Sequence, residues 1–428
     1  MRDAPIALGI DSTTLVTRVT GGLCRLAQTR AAGKHILNGG GRPALTFGRR
    51  GNDGRRRVRN ANTTYPALVA PTDAGRDSEA GAAMRRVQFL HVVVVFGLAG
   101  ALVGAVPTGA STLATRRRCR ATAFVANNGS DTVSTIDVNT RTKHPTDITV
   151  GNGPTGLAVT PDGKTVFVAN TLSGTVSTID VKTRTKDPTD IDVGSGAFYV
   201  ALSPDGKTAF VTNYISNTVS TIDVKTRKKN PADIPVGATP QLVAVTPDGK
   251  TAFVANSSSN TVSTIDVKTR TKNPTDIPVG RLPAHVLVTP DGKTAFVNNV
   301  FGKTLSTIDV QSRTKQPTDI ALASQPGGFV FTPDGKTAFL ANWGSDTVST
   351  IDVNARTKNL GDIAVGPSPL ELALTPDGKT LFVTHNNEVT ESVPSTVSTI
   401  DVNTRTKNPD DIAVGSGSLG LAITPCRR

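Results

Sequence analysis

Apolar and polar positions alternate in short bursts along this chain, and the bursts recur. From Leu157 the run Leu-Ala-Val precedes a polar Pro161-Asp-Gly-Lys segment. Val166-Phe-Val-Ala is apolar, and Asn170 to Gly174 is polar. Thr175-Val-Ser-Thr-Ile-Asp-Val is rich in β-branched residues. Thr183 to Pro188 is polar again, and a short run closes at Val193. No segment keeps helical spacing of apolar residues over three turns, whereas short β-branched and aromatic runs between turn residues predict strands. Pro presets φ, Asp caps the backbone and Gly supplies a positive φ, so Pro-Asp-Gly-Lys reads as a tight turn. Each unit therefore predicts four strands, A to D.

The unit recurs seven times. Ser-Thr-Ile-Asp begins at Ser134, Ser177, Ser220, Ser263, Ser306, Ser349 and Ser398, with a period of 43 residues until the last step of 49, which carries a six-residue insertion. Four strands in about 40 residues is the period of a propeller blade. Strand D holds Pro235 and Pro278; proline is tolerated at a sheet edge, which puts D on the rim and A at the axis. The first complete run, Ala123 to Asn127, is a B strand, and the last, Leu419 to Thr424, is an A strand. The expected fold is all-β: a seven-bladed β-propeller of four antiparallel strands per blade. It is closed by a C-terminal A strand that joins the N-terminal B, C and D strands.

The repeat text resembles the YVTN family of β-propeller repeats. Phe210-Val-Thr-Asn, Asn260-Thr-Val-Ser-Thr-Ile-Asp and Thr246-Pro-Asp-Gly-Lys-Thr carry the resemblance, which spans about residues 119–428, with Phe where the family name has Tyr. It implies a seven-bladed, exported or cell-surface protein, mostly without enzymatic activity. It also brings lactonase-like and lyase-like propellers into view.

Charge separates the leader from the ring. The chain carries a formal net charge of +13, yet residues 121–428 hold 28 basic and 28 acidic side chains. A neutral ring gives no support for nucleic-acid binding. Residues 1–83 have no sustained periodicity and read as a disordered or untranslated leader. Met84-Arg-Arg, the apolar stretch 87–106 and the small residues to Ala110 have the layout of a signal peptide over 84–110. An uncleaved membrane anchor is the other reading, and the propeller is expected over 111–428. The expected location is outside the cytoplasm: extracellular, periplasmic or at the cell surface. Cys119 and Cys426 both fall at the A–B junction where the ring is open, and in an oxidising setting they are disulfide candidates.

Several motifs look chemical and are not. Gly151-Asn-Gly-Pro-Thr-Gly matches a dinucleotide fingerprint but leads into a strand, where no helix N-terminus is available. The Asp of Ser-Thr-Ile-Asp recurs in every blade, so its expected work is structural, accepting hydrogen bonds near the C–D turn.

Positions that depart from the repeat are the candidates for function. Loops B–C and D–A share one face. At the entry to strand A the equivalent positions read Gly156, Tyr199, Leu242, His285, Gly328, Glu371 and Gly420. On the B–C loops stand Tyr214, Phe301 and Trp343, and Arg281 is the lone charge of its D–A loop. His385 replaces the usual Asn, beside the insertion with Glu388 and Glu391. The leading expectation is a binding scaffold, not an enzyme, that takes a protein, small-molecule or glycan partner on this face. Trp343, Tyr214 and Phe301 would be its apolar anchors, and Tyr199, Arg281, His285, Glu371 and His385 its polar contacts. No cofactor is expected. The alternative is a lactonase- or lyase-like enzyme at the channel mouth, with a metal held by His285, His385 and Glu371.

Overall fold

The computed structural model describes residues 121–386 and 394–426. The leader, the 84–110 segment, Cys119, Glu388 and Glu391 lie outside the described residues. Among the described residues no helix is long and apolar enough to cross a membrane.

Seven antiparallel sheets follow one another along the chain. Blade 3 represents them: strand A is Ala197–Leu202, B is Thr208–Asn213 and C is Thr218–Asp223. The order A-B-C holds in every sheet, with A next to the A strands of adjacent blades. Blade 1 is built from both ends of the chain. Its B strand, Thr122–Asn127, pairs with the A strand Ser418–Ile423 through Ala123↔Ile423 and Val125↔Leu421. Ring closure therefore stands as expected. Cys426 is disulfide-bonded.

One expectation needs refining. Strand D is a dipeptide within the expected short run, and a second dipeptide, in the segment read as a polar break, also pairs with C. In blade 3 these are Lys228–Lys229 at one end of C and Ile234–Pro235 at the other. The intervening Asn-Pro-Ala-Asp contains a proline without an N–H to give. A lysine–aspartate pair spans the break, Lys229 Nζ to Asp233 Oδ1 at 2.7 Å.

The blade faces are apolar because each is covered by a neighbour. Phe210 of blade 3 is fully buried against Val243, Ala252, Val254 and Ile265 of blade 4. Polar residues repeat where backbone or rim needs a partner. Asn170 Nδ2 donates to Ser177 Oγ (2.9 Å), Ser177 Oγ donates to Asp190 Oδ1 (2.8 Å), and Lys186 pairs with that carboxylate (2.6 Å). This relay ties strands B, C and D together, and burial makes its Asn170–Ser177 bond costly to lose. Asp180 accepts from the amide and hydroxyl of Thr183 at the C–D turn, the structural work expected of it. In the A–B turn the Thr160 hydroxyl donates to Asp162 (2.6 Å) and helps hold that carboxyl below the usual range.

Candidate active site

The B–C and D–A loops meet on one face, as the repeat implied. Thr171 N donates to Gly153 O (2.8 Å), and Tyr214 N donates to Gly196 O (2.7 Å). Below these loops strand A starts with an irregularity. In blade 5, Pro283 pairs with Asn299 and the next pair is Val286 with Val297, so Ala284 and His285 together oppose Asn298. A bulge of this kind re-aims side chains.

Bulge residues from different blades, Tyr199, His285 and Glu371, stand on this face, and two of them, His285 and Glu371, come together. His285 Nδ1 lies 3.7 Å from Glu371 Oε2, although the two belong to blades 5 and 7. Gly328 of blade 6 makes this approach possible. A Cβ there would stand 2.8 Å from Glu371 Oε2 and 2.9 Å from the Leu370 carbonyl. Tyr199 leans likewise over blade 2, where a Cβ on Gly156 would meet its ring at 2.5 Å. Glu371 and Tyr199 thus fill the space that Gly328 and Gly156 leave.

Burial sets the protonation of this group. It pushes the Glu371 carboxyl up to about 8 and the His285 imidazole down to about 3, because enclosure disfavours the charged form of each. Burial, and then the Glu371 charge, raise the Tyr199 phenol. At neutral pH the carboxyl therefore keeps its proton beside a neutral imidazole. His285 is 6% exposed and its Nδ1 has no hydrogen-bond partner. A buried nitrogen without a partner is the kind of atom a substrate or a reacting water satisfies.

The other candidates stand apart from this group. His385 is fully buried, and its Nε2 lies 2.7 Å from Ser398 Oγ, which donates to Asp411 (2.7 Å). It occupies the place of Asn in the B–C–D relay, so its assignment as a polar contact of the loop face is corrected. Burial holds its imidazole below the usual range. The expected metal set of His285, His385 and Glu371 is therefore not assembled. Among the described residues no three His, Cys, Asp or Glu side chains are placed to hold a metal ion. Phe301 is 40% exposed on its B–C loop, and Arg281 is exposed beside it. Tyr214 packs on Phe198 with ring centroids 5.8 Å apart. Trp343 is half-buried, with its indole nitrogen enclosed. Leu172 and Ile215, exposed on the B–C loops of blades 2 and 3, were not singled out in the sequence; an apolar residue in a loop of otherwise small polar residues was the available signal.

Residues 120–280 match the family described as lactonase, 7-bladed β-propeller. No curated protein matches the sequence. Among solved structures, a putative 6-phosphogluconolactonase from Bacteroides fragilis is 19% identical with a TM-score of 0.62, over 72% of this chain and 99% of that one. The periplasmic gluconolactonase of Pseudomonas aeruginosa is 18% identical with a TM-score of 0.60, over 72% and 100%. Hydrazine synthase of Kuenenia stuttgartiensis is 22% identical with a TM-score of 0.58, over 65% and 92%. Identities this low speak for a common fold, and one fold carries many chemistries. The lactonase match overturns the expectation of a non-enzymatic binding scaffold and favours the lactonase-like alternative. The chain is a seven-bladed β-propeller repeat protein, similar to lactonases over residues 120–280.

Proposed function

We propose that this protein hydrolyses lactones of the sugar-acid type at the channel mouth, with His285 and Glu371 as its acid–base pair. One observation carries the reading: a buried histidine and a largely enclosed glutamate stand 3.7 Å apart and are driven to neutrality from opposite directions. Groups so displaced are the usual acid and base of an active site. The similarity to lactonases supplies the reaction class.

Water gives a proton to the His285 imidazole as its oxygen adds to the ring carbonyl carbon. The tetrahedral intermediate collapses, the ring C–O bond breaks, and the leaving oxygen takes the Glu371 proton. Transfer from the imidazolium to the carboxylate restores the pair, and the net product is the open hydroxy acid. Tyr199 lies near enough to feel the Glu371 charge and orients the substrate. Trp343, Tyr214, Phe301 and Arg281 form the rim through which the substrate enters.

The test is acid release from glucono-δ-lactone and its 6-phosphate, measured above the buffer rate. Glu371→Gln and His285→Ala should each lower the rate by at least about 100-fold with melting retained. A purified wild-type chain that releases no acid from any γ- or δ-lactone offered would defeat the proposal.

We read the repeats as YVTN-type and the protein as exported through residues 84–110; N-terminal sequencing of the mature chain tests the second point, and a start at Met1 would overturn it. The open A–B junction supports pairing of Cys119 with Cys426, which intact mass with and without reductant would decide.

A further inference from the structure

The residue before the last one of strand B is alanine in four blades: Ala126, Ala169, Ala255 and Ala341. In the remaining three it is Thr212, Asn298 and Thr384. These are blades 3, 5 and 7, the same three that carry Tyr199, His285 and Glu371 at the axis. The alanine blades carry Gly420, Gly156, Leu242 and Gly328 there.

The contacts give this coincidence a physical meaning. Tyr199 N donates to Thr212 Oγ1 (3.1 Å), His285 N to Asn298 Oδ1 (2.5 Å) and Glu371 N to Thr384 Oγ1 (3.0 Å). Each bulge leaves two A-strand residues facing one B-strand residue, and the polar side chain accepts the amide that the ladder does not. The same side chains also reach the next blade. Thr212 Oγ1 donates to Gln241 O (2.6 Å), Asn298 Nδ2 to Gly327 O (2.5 Å) and Thr384 Oγ1 to Leu419 O (3.4 Å). All three are fully buried, so these bonds form away from competing water. Asn298 does the most, also accepting from Ala284 N (3.1 Å).

We infer that Thr212, Asn298 and Thr384 are positioning residues that clamp the backbone of Tyr199, His285 and Glu371 to the following blade, fixing where each side chain stands and how His285 faces Glu371. The inference rests on the proposed acid–base reading for its effect on rate, but the clamp itself is testable without turnover. A displacement of about 1 Å in such a group can cost about 100-fold in rate.

The decisive variants are Asn298→Ala and Thr384→Ala, with Thr384→Ser as the conservative control. Alanine already occupies this position in four blades, so the fold has a precedent for it. Two readouts are taken. The first is lactone hydrolysis, where the alanine variants should lose at least about tenfold in kcat with KM nearly unchanged, and Thr384→Ser should retain most of the rate. The second is the His285 ring resonance, followed by NMR through the ionisation of Glu371 near pH 8; with five histidines in the chain it can be assigned by comparison with His285→Ala. The midpoint should move in both alanine variants and stay in Thr384→Ser. If hydrolysis is absent from the wild type but the midpoint moves, the clamp stands and the lactonase reading falls. If the alanine variants melt lower yet keep the wild-type midpoint and kcat, these residues serve stability alone and the inference is overturned.

Discussion

The rim of the blades and the mouth of the channel follow opposite rules. At the rim, the Asn-to-Ser bond of the relay recurs from blade to blade at nearly constant distance. At the mouth, the equivalent positions run from glycine to tyrosine, and what matters is which large residue stands beside which glycine. Identity makes the ring; departure from identity makes the site. His385 limits that rule, since it departs from the repeat but keeps the relay by offering a ring nitrogen to Ser398 where other blades offer an amide.

The comparison can be broken in several places. Phe210→Ala attacks only the ring. It should cost about 3–5 kcal/mol, read as a lower melting temperature, while activity per folded molecule is unchanged. Gly328→Ala attacks the mouth. Its Cβ would press on Glu371 Oε2 and on the Leu370 carbonyl, parting the carboxyl from His285 and shifting the strand that carries it, so activity per folded molecule should fall by about 10–100-fold and the melting temperature should drop as well.

The pH dependence sharpens the comparison further. A carboxyl held up to about 8 in the folded state must carry its proton to act as the acid, so kcat should fall as pH rises through about 8. The stability sign agrees: a raised acid contributes fully below its ordinary value near 4.5 and loses that contribution as pH climbs to about 8. Relative to Glu371→Gln, the wild type should therefore weaken across that window, by up to about 1.4 kcal/mol per pH unit, and then level off. Chemical denaturation at a series of pH values measures it. The smallest effect is expected of His385→Asn, which restores the repeat: within about 1 kcal/mol and with unchanged hydrolysis. A loss of activity there would return His385 to the mouth and undo the division between the two regions.

Much of the fold was legible because seven copies of one text average out local ambiguity. Strand order, turn positions and the closing strand all follow from the period. The paired dipeptide before strand D was not legible, because its residues are polar and the contact that spans the gap, Lys229 to Asp233, is a side-chain contact that no periodicity announces. At the mouth, alignment of the repeats found Tyr199, His285 and Glu371. It did not show that Glu371 crosses blade 6 to meet His285, since that rests on the missing side chain of Gly328. Thr212, Asn298 and Thr384 were visible as departures from alanine but carried no meaning until the bulge showed which amides they accept. His385 was misplaced because a broken repeat looks functional when its geometry is unknown.

The closure of blade 1 has an outcome for how the molecule can be held. Ala121 and Thr424–Cys426 leave the ring beside the Pro-Asp-Gly turns, where Pro425 and Cys426 border Asp162 and Lys182. The channel mouth opens on the other side of the disc. A partner attached to the ring directly at Ala121 or Cys426 would take hold from that side and leave the face of the B–C and D–A loops clear.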